Sequence, residues 1–174
     1  MKYRTIVADP PWDLGVVNSG WKTTSNVALP YDTMTIDEIR ALPVAALADR
    51  SSHLYLWTVT SVLRHSFDVV EAWGFRPKQV LVWAKPGLGS GMRFRQTCEY
   101  IIFGTRGSGI PITRHDVGTW HQWPRGAHSA KPEAFLDLVE SVSPGPYLEM
   151  FARRQRLGWD TWGNEALNHV EMTT

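Results

Sequence analysis

The sequence predicts an α/β domain whose sheet is mostly parallel, with helices on both faces. Short apolar runs typical of strands alternate along the chain with amphipathic helical segments, which favours a single sheet covered by its crossover helices. With 174 residues, of which 43% are hydrophobic and 20% charged, the chain suits one domain with a full core. We find no internal repeat or linker, so we expect a single domain over residues 1–174.

The first half of the chain predicts two strands and two helices. The run Tyr3–Ala8 has the β-branched, apolar character of a buried strand. The Ser/Asn/Gly-rich stretch 15–30 predicts a loop. A helix follows, capped by Thr35 with Glu38 three residues later, and it breaks near Pro43. The next two segments are a strand over 52–58 and an amphipathic helix ended by Gly74.

The second half continues the alternation. We expect strands over 78–85 and 99–106, joined by a glycine-rich loop. A long irregular region then runs to residue 130. A helix over 131–145 has Pro132 near its first turn, and a strand over 146–152 follows it. The remaining residues, including "GWDTWGNEAL", are expected to form a tail.

Composition excludes several classes of protein. A formal net charge of +1 gives no overall basicity, so any nucleic-acid site is a local patch. A single cysteine, Cys98, excludes a disulfide framework and a cysteine-rich zinc site, and the six histidines show no metal-ligand spacing. No signal peptide or apolar run of membrane-spanning length is apparent, and we expect a cytoplasmic protein.

The segment "DPPW" ends the first strand and offers several binding groups within four residues. Pro10 and Pro11 have fixed φ and no N–H, so they form a stiff corner, and we expect its carbonyls to lack neighbouring donors. The Asp9 carboxylate and the Pro10 carbonyl could hold both hydrogens of an exocyclic aromatic amine such as that of adenine. Trp12 could stack on the base, which would first have to leave a duplex. The alternative is a strand end with an Asp turn and a core tryptophan.

Other candidate residues are expected at the same edge of the sheet. Ligands of open α/β sheets bind at the carboxyl ends of the strands, where Lys85 and Arg153 also follow predicted strands. The glycine-rich loop after Lys85 lacks the lysine and serine of a phosphate-binding loop, so a target-recognition loop is favoured. Arg93, Arg95 and Lys22 are then candidates for gripping phosphates. Arg153 is equally explained as part of a solvated basic turn, "RRQR".

Several blocks along the chain closely resemble, in the same order, those of the MT-A70-type family. They are "ADPPW", "LPYDTMTIDEIRAL", "LYLWT", "VLVWAKPG", "CEYIIFG", "HSAKPEAFLDLVESVSPGPYLEMFAR" and "GWDTWGNE". These are DPPW-bearing adenine N6-methyltransferases that use S-adenosyl-L-methionine. The similarity runs from Tyr3 to about Glu165. It implies a Rossmann-like methyltransferase sheet in permuted order, with the catalytic motif before the cofactor motif. The compact size is similar to that of bacterial or phage members.

The resemblance also implies roles for individual residues. Asp9, Pro10, Pro11 and Trp12 match the catalytic motif that holds the target amine, and Tyr31 matches an aromatic residue placed near the base. With Asp9, the residues expected at the cofactor are Lys131, Phe151, Arg153, Asn164 and Glu165.

Four residues, at three places in the chain, depart from the family pattern. Ala130 replaces the histidine of "SHKP", Ala152 replaces a glycine, and Gln155-Arg156 replaces a pair that is often His-Asn. Ribose contacts are therefore not carried over to Gln155-Arg156. The lysine of "SHKP", which contacts the cofactor carboxylate in the family, is present as Lys131.

These observations predict direct transfer of a methyl group from the cofactor to adenine N6, without a metal. We expect DNA as the substrate, with Trp12, Tyr31, Lys85, Arg93 and Arg95 around the base and its phosphates. Three alternatives stay open: an RNA adenine methyltransferase, a non-catalytic partner subunit that binds nucleic acid, and an enzyme acting on free nucleotides. Because the net charge is near zero, a second subunit, either another copy or a partner protein, is expected to help form the groove.

Overall fold

In the computed structural model, the residues described are 1–15, 32–89, 94–126, 130–163, 166 and 170. Within them, seven strands form one sheet. The elements in chain order are β1 (Tyr3–Ala8), α1 (Ile36–Ala41), α2 (Val44–Leu47), β2 (Ala48–Thr58), α3 (Leu63–Ala72), β3 (Arg76–Ala84), β4 (Cys98–Arg106), β5 (Trp120–Gln122), α4 (Glu133–Val142), β6 (Tyr147–Met150) and β7 (Trp159–Trp162).

The strand order across the sheet is β5-β3-β4-β2-β1-β6-β7. β1 pairs in parallel with β2 on one side and with β6 on the other, and β7 is parallel to β6. β4 is antiparallel to both of its neighbours, β2 and β3. The prediction of a mostly parallel α/β sheet is therefore confirmed.

Alternating side chains on the central strands face two separate cores. On β1, Ile6 and Ala8 pack with Val69 and Val70 of α3. The intervening Val7 packs on the opposite face, in the cluster that holds Phe135 of α4. Strands that are buried on both faces read as continuous apolar runs, as "IVA" does here. Helices cover both faces, as the sequence predicts.

Local sequence signals account for the helix boundaries. Thr35 and Glu38 form a complete capping box at the start of α1, in which each side chain accepts from the other's backbone N–H. Pro43 stands between α1 and α2, where the sequence predicts a break. Gly74 follows α3 with a φ of 82°, a left-handed conformation that glycine adopts without a steric penalty.

Two strands fall where the sequence predicts none. β5 lies inside the region expected to be irregular, and β7 lies inside the expected tail. Both are short strands at opposite edges of the sheet, and tryptophans at their ends blur the alternation of apolar and polar residues on which a strand prediction depends. The loop predicted over 15–30 falls almost entirely outside the described residues. Within the described ranges, no helix has the length and apolar character needed to cross a bilayer.

The strand order reverses direction between β1 and β6. From β1 the chain passes to β2 on one side, whereas from β6 it passes to β7 on the other. In open α/β sheets such a switch point leaves a crevice beyond the carboxyl ends of the two strands, and ligands bind there. Ala8 and Met150, the last residues of β1 and β6, are register partners. The residues that follow them are therefore neighbours.

We expect Trp73→Phe to lower the free energy of unfolding by about 2–4 kcal/mol. Trp73 is fully buried, and its indole N–H donates to the carbonyl of Ile39 at 3.0 Å, which links α3 to α1. The substitution leaves a small cavity and removes one of two donors to the Ile39 carbonyl, which keeps its bond from the Leu42 N–H at 3.2 Å. Urea denaturation measures the change. Trp120→Phe is the control, since Trp120 is 62% exposed on an edge strand, and a shift of the same size there would contradict the assignment.

Candidate active site at the carboxyl edge of the sheet

The corner that follows β1 is held by its own backbone. The N–H of Trp12 donates to the Pro10 carbonyl at 2.9 Å, and the N–H of Met34 donates to the Pro11 carbonyl at 2.8 Å. The expectation that these carbonyls lack neighbouring donors is therefore wrong. Since a carbonyl oxygen has two lone pairs, the Pro10 oxygen can still accept a second hydrogen bond. The Asp9 N–H also lies 3.4 Å from the Met150 carbonyl, which joins the corner to β6.

Trp12 faces the core rather than the crevice. It is 7% exposed, and its indole N–H donates to the Trp57 carbonyl at 3.1 Å. Its isolated bridge to Met34 ties the corner to the segment before α1. The structure gives no support to the stacking role predicted for Trp12, since its ring is packed in the core. Trp12 supports the corner that carries Asp9.

Lys131 brings three separate segments together at this edge. Its ammonium Nζ lies 2.7 Å from Asp9 Oδ2 and 3.4 Å from Glu99 Oε2. The same Nζ lies 5.2 Å from the centroid of the Trp57 ring, within the range of a cation–π contact. Asp9 follows β1, Glu99 belongs to β4, and Lys131 precedes α4. The ion pairs therefore fix the relative positions of two strand ends and a helix start.

Electrostatics explains why Lys131 needs both carboxylates. A cation beside the N-terminus of a helix gains nothing from the helix dipole, and Lys131 stands two residues before the first residue of α4. Burial disfavours the charged form, but the attraction of Asp9 and Glu99 more than offsets it, so the pKa of Lys131 is raised above its ordinary value. Lys131 is therefore a charged ammonium at neutral pH.

Glu99 is a residue of this edge that the sequence analysis did not single out. Its Oε1 accepts from the Lys85 ammonium, which also lies 4.7 Å from the centroid of the Trp83 ring. Glu99 therefore connects Lys85, a predicted substrate residue, to Lys131, a predicted cofactor residue. The segment "CEYIIFG" that contains Glu99 gives no sign of this role, because the two lysines that Glu99 contacts lie far from it in the sequence.

Glu149 is a second acid that lies in the crevice. With Val7, Trp57 and Arg153, it lines a pocket that also contains Asp9 and Lys131. Within the described residues, its Oε2 is buried and has no hydrogen-bond partner. Burial raises the pKa of Glu149 to about 7; Arg154 opposes this shift and the nearby Asp9 charge adds to it.

The chain turns sharply after β6, where it borders the pocket. Phe151 has a φ of 62°, in the left-handed region that disfavours side chains other than glycine. A Cβ on Gly163 would lie 2.6 Å from the backbone nitrogen of Ala152, so only glycine permits this approach of β7 to the turn. Phe151 and Arg153 both line the pocket, and their contact with a cofactor stays a prediction. Strained backbone of this kind persists where the surroundings enforce it, which is frequent at ligand sites.

Arg156 and Arg154 serve a different contact. Arg156 bonds to Asp137 at 2.6 Å and to Glu140 at 2.9 Å, both on α4. Arg154 pairs with Glu133 at the start of the same helix. Arg156, in the pair that departs from the family pattern, is thus engaged in packing the β6–β7 connection against α4.

The remaining predicted residues divide into two groups. Arg95 is exposed on the β3–β4 connection, where its Nη1 lies 3.4 Å from the Gly89 carbonyl. The other predicted residues lie outside the described part of the chain: Lys22, Tyr31, Arg93, Asn164 and Glu165. Their roles stay predictions.

Comparisons with known proteins assign the chain to a family. The MT-A70 family model matches residues 3–165. The type II methyltransferase M.MunI of a Mycoplasma species is 32% identical, and the alignment covers 99% of this chain and 82% of that protein.

Two eukaryotic relatives are more distant. The N(6)-adenosine-methyltransferase MT-A70-like protein of Drosophila melanogaster is 29% identical over 94% of this chain and 27% of its own length. The human N(6)-adenosine-methyltransferase catalytic subunit METTL3 is 26% identical over 94% of this chain and 28% of its own length. The chain therefore spans about a quarter of these two relatives. Since the family model covers the whole sheet and every site residue described above, the chain belongs to the MT-A70 family of adenine N6-methyltransferases, which have a Rossmann-like fold.

Proposed function

We propose that this protein transfers a methyl group from S-adenosyl-L-methionine to the N6 amine of adenine in DNA. The observation that carries the proposal is the meeting of Asp9, Lys131 and Glu149 in one pocket at the switch point of the sheet. The family supports the same chemistry, since MT-A70 methyltransferases in general depend on this cofactor.

The pocket has features that suit such a cofactor. Lys131 offers an ammonium to the carboxylate of its amino-acid part, and Arg153 lines the same pocket. The buried Glu149 Oε2 lacks a donor among the described residues, and a cationic ligand would supply a charge to pair with it. Asn164 and Glu165 are proposed to complete the site. When bound, the cofactor supplies an electrophilic methyl group on a sulfonium.

The corner after β1 is proposed to position the target amine. The Asp9 carboxylate and the Pro10 carbonyl each accept one N–H, which directs the nitrogen lone pair toward the methyl group. The negative charge of Asp9 stabilises the positive charge that develops on nitrogen, and the proton leaves after the methyl group has been transferred. The bond from Lys131 to Asp9 Oδ2 holds the carboxylate in a fixed orientation.

DNA is favoured as the substrate by one comparison. Most of the length of a type II methyltransferase aligns with this chain, whereas the eukaryotic N(6)-adenosine relatives are matched over about a quarter of their length. Exposed Arg95, with Lys85 and the residues Tyr31 and Arg93, is proposed to contact the extruded nucleotide and its phosphates. A second subunit that completes the groove stays a prediction, as does the cytoplasmic location.

We expect Asp9→Asn to lower the rate of methyl transfer by about 100-fold or more, since it removes a charged acceptor aimed at the amine. Single-turnover kinetics with saturating cofactor measures the rate. Asp13→Asn is the matched control, because the Asp13 carboxylate lies on the same corner and, among the described residues, accepts a local bond from the Gly15 N–H. Activity of Asp9→Asn within tenfold of that of the unchanged protein would refute the assignment of Asp9.

The raised pKa of Glu149 predicts a pH-dependent affinity for the cofactor. Glu149, with a pKa of about 7, becomes ionised as the pH rises from 6 to 7.5, and an ionised carboxylate attracts a cationic ligand. We expect binding to tighten by about fivefold over that range, as calorimetry would measure. Glu149→Gln should remove this dependence. A dependence that persists in the variant would assign it to another group.

The raised pKa of Glu149 also predicts that rising pH lowers stability, whereas it tightens cofactor binding. The folded pKa of Glu149 lies above its unfolded value, so its contribution is intact at low pH and is lost as the pH rises through 7. We therefore expect Glu149→Gln to raise the free energy of unfolding by about 1–3 kcal/mol at pH 8, and by less than about 1 kcal/mol at pH 5. Denaturation at both pH values tests this, and stabilisation confined to pH 5 would contradict it.

A substrate panel tests the choice of DNA. Tritiated S-adenosyl-L-methionine is supplied with sequence-matched single-stranded DNA, duplex DNA, RNA and free adenosine, at low and at near-physiological salt. We expect label in DNA, with lower incorporation at the higher salt. Label in RNA alone would favour the RNA alternative, and label in adenosine alone would favour the small-molecule one. No label in any substrate would favour the non-catalytic partner subunit.

A further inference from the structure

Glu99 lies between two lysines that come from different elements. Its Oε1 accepts from Lys85, at the end of β3, and its Oε2 lies 3.4 Å from the Nζ of Lys131, before α4. The Glu99 side chain is 15% exposed, and the side chain of each lysine is 21% exposed. Each carboxylate oxygen therefore engages one largely buried ammonium.

These contacts restrict the Lys131 ammonium from several directions. Asp9 approaches it from the end of β1 at 2.7 Å, Glu99 approaches it from β4, and the Trp57 ring lies 5.2 Å away. An ammonium has three N–H donors, so two carboxylates leave one donor for a ligand. A lysine held in this way loses less side-chain entropy when a ligand binds.

We propose that Glu99 is a positioning residue for the cofactor: it holds Lys131 at the pocket so that its remaining donor meets the carboxylate of the cofactor. Lys85 serves Glu99 in turn, since it compensates the charge that Glu99 would otherwise bring to the pocket. This inference rests on the proposed function, because it takes S-adenosyl-L-methionine as the ligand of Lys131.

The sign of one effect separates positioning from background charge. A negative charge close to the site of an anionic group weakens binding of that group, so loss of Glu99 as a mere background charge would tighten binding. Loss of Glu99 as a positioning residue has the opposite consequence, because Lys131 then has one anchor fewer and more rotamers to lose.

The experiment compares two probes by calorimetry. S-adenosylhomocysteine carries the amino-acid carboxylate, whereas 5′-methylthioadenosine lacks the whole amino-acid part. We expect Glu99→Gln to weaken the binding of S-adenosylhomocysteine by about tenfold, a change typical of one lost hydrogen bond. The affinity for methylthioadenosine should change by less than about twofold. Glu99→Asp keeps the charge but is too short to reach both lysines, so it is expected to weaken the same ligand selectively.

Glu133→Gln is the matched control. Glu133 is a carboxylate at the start of α4 that pairs with Arg154 and Arg156 and, within the described residues, lies outside the ion pairs of Lys85, Glu99 and Lys131, so its loss should leave the affinity of both probes unchanged. Unchanged or tighter S-adenosylhomocysteine binding in Glu99→Gln would overturn this inference but not the proposed function. An equal loss of affinity for both probes would also overturn it, because Glu99 would then have a purely structural role. Absence of binding by the unchanged protein would overturn the proposed function and, with it, this inference.

Discussion

The site depends on the Lys131 ammonium and the two carboxylates that hold it. A buried charge without a partner is strongly destabilising, and Lys131 has an unfavourable place beside a helix N-terminus as well. Asp9 and Glu99 remove both penalties. Because these acids come from β1 and β4, the pairing is possible only when the two strands and α4 are correctly placed. The charge network is thus a consequence of the fold and also a constraint on it.

The pocket beside this network keeps features that reduce stability. Ionisation of Glu149 is unfavourable because its carboxyl is buried, and Phe151 adopts a φ that its side chain disfavours. Neither feature improves packing, since the Glu149 Oε2 has no partner in the described chain and a glycine would relieve the strain at residue 151. Perturbed acids and strained turns gather at ligand sites because binding, rather than folding, determines them.

The sequence predicts those parts of the structure that depend on neighbouring residues. The capping box of Thr35 and the turn at Gly74 are local, and both are confirmed. The pairing of Glu99 with Lys131 depends on strand order, which no local pattern contains. Trp12 shows the same limit. An aromatic residue at a loop start can face either a ligand or the core, and the burial of Trp12, with its hydrogen bond to the Trp57 carbonyl, places it against the core.

Strand adjacency explains how distant segments line one pocket. Asp9 follows β1 and Phe151 follows β6, far apart in the sequence, yet the register pairs Ala8 with Met150 directly before them. Transfer between two bound molecules requires their reacting atoms to be held almost in contact. Two parallel strands lie about 4.8 Å apart, so loops at their adjacent ends can each hold one reactant. The order in which the chain supplies the two motifs then has no chemical importance, because the sheet alone brings them together.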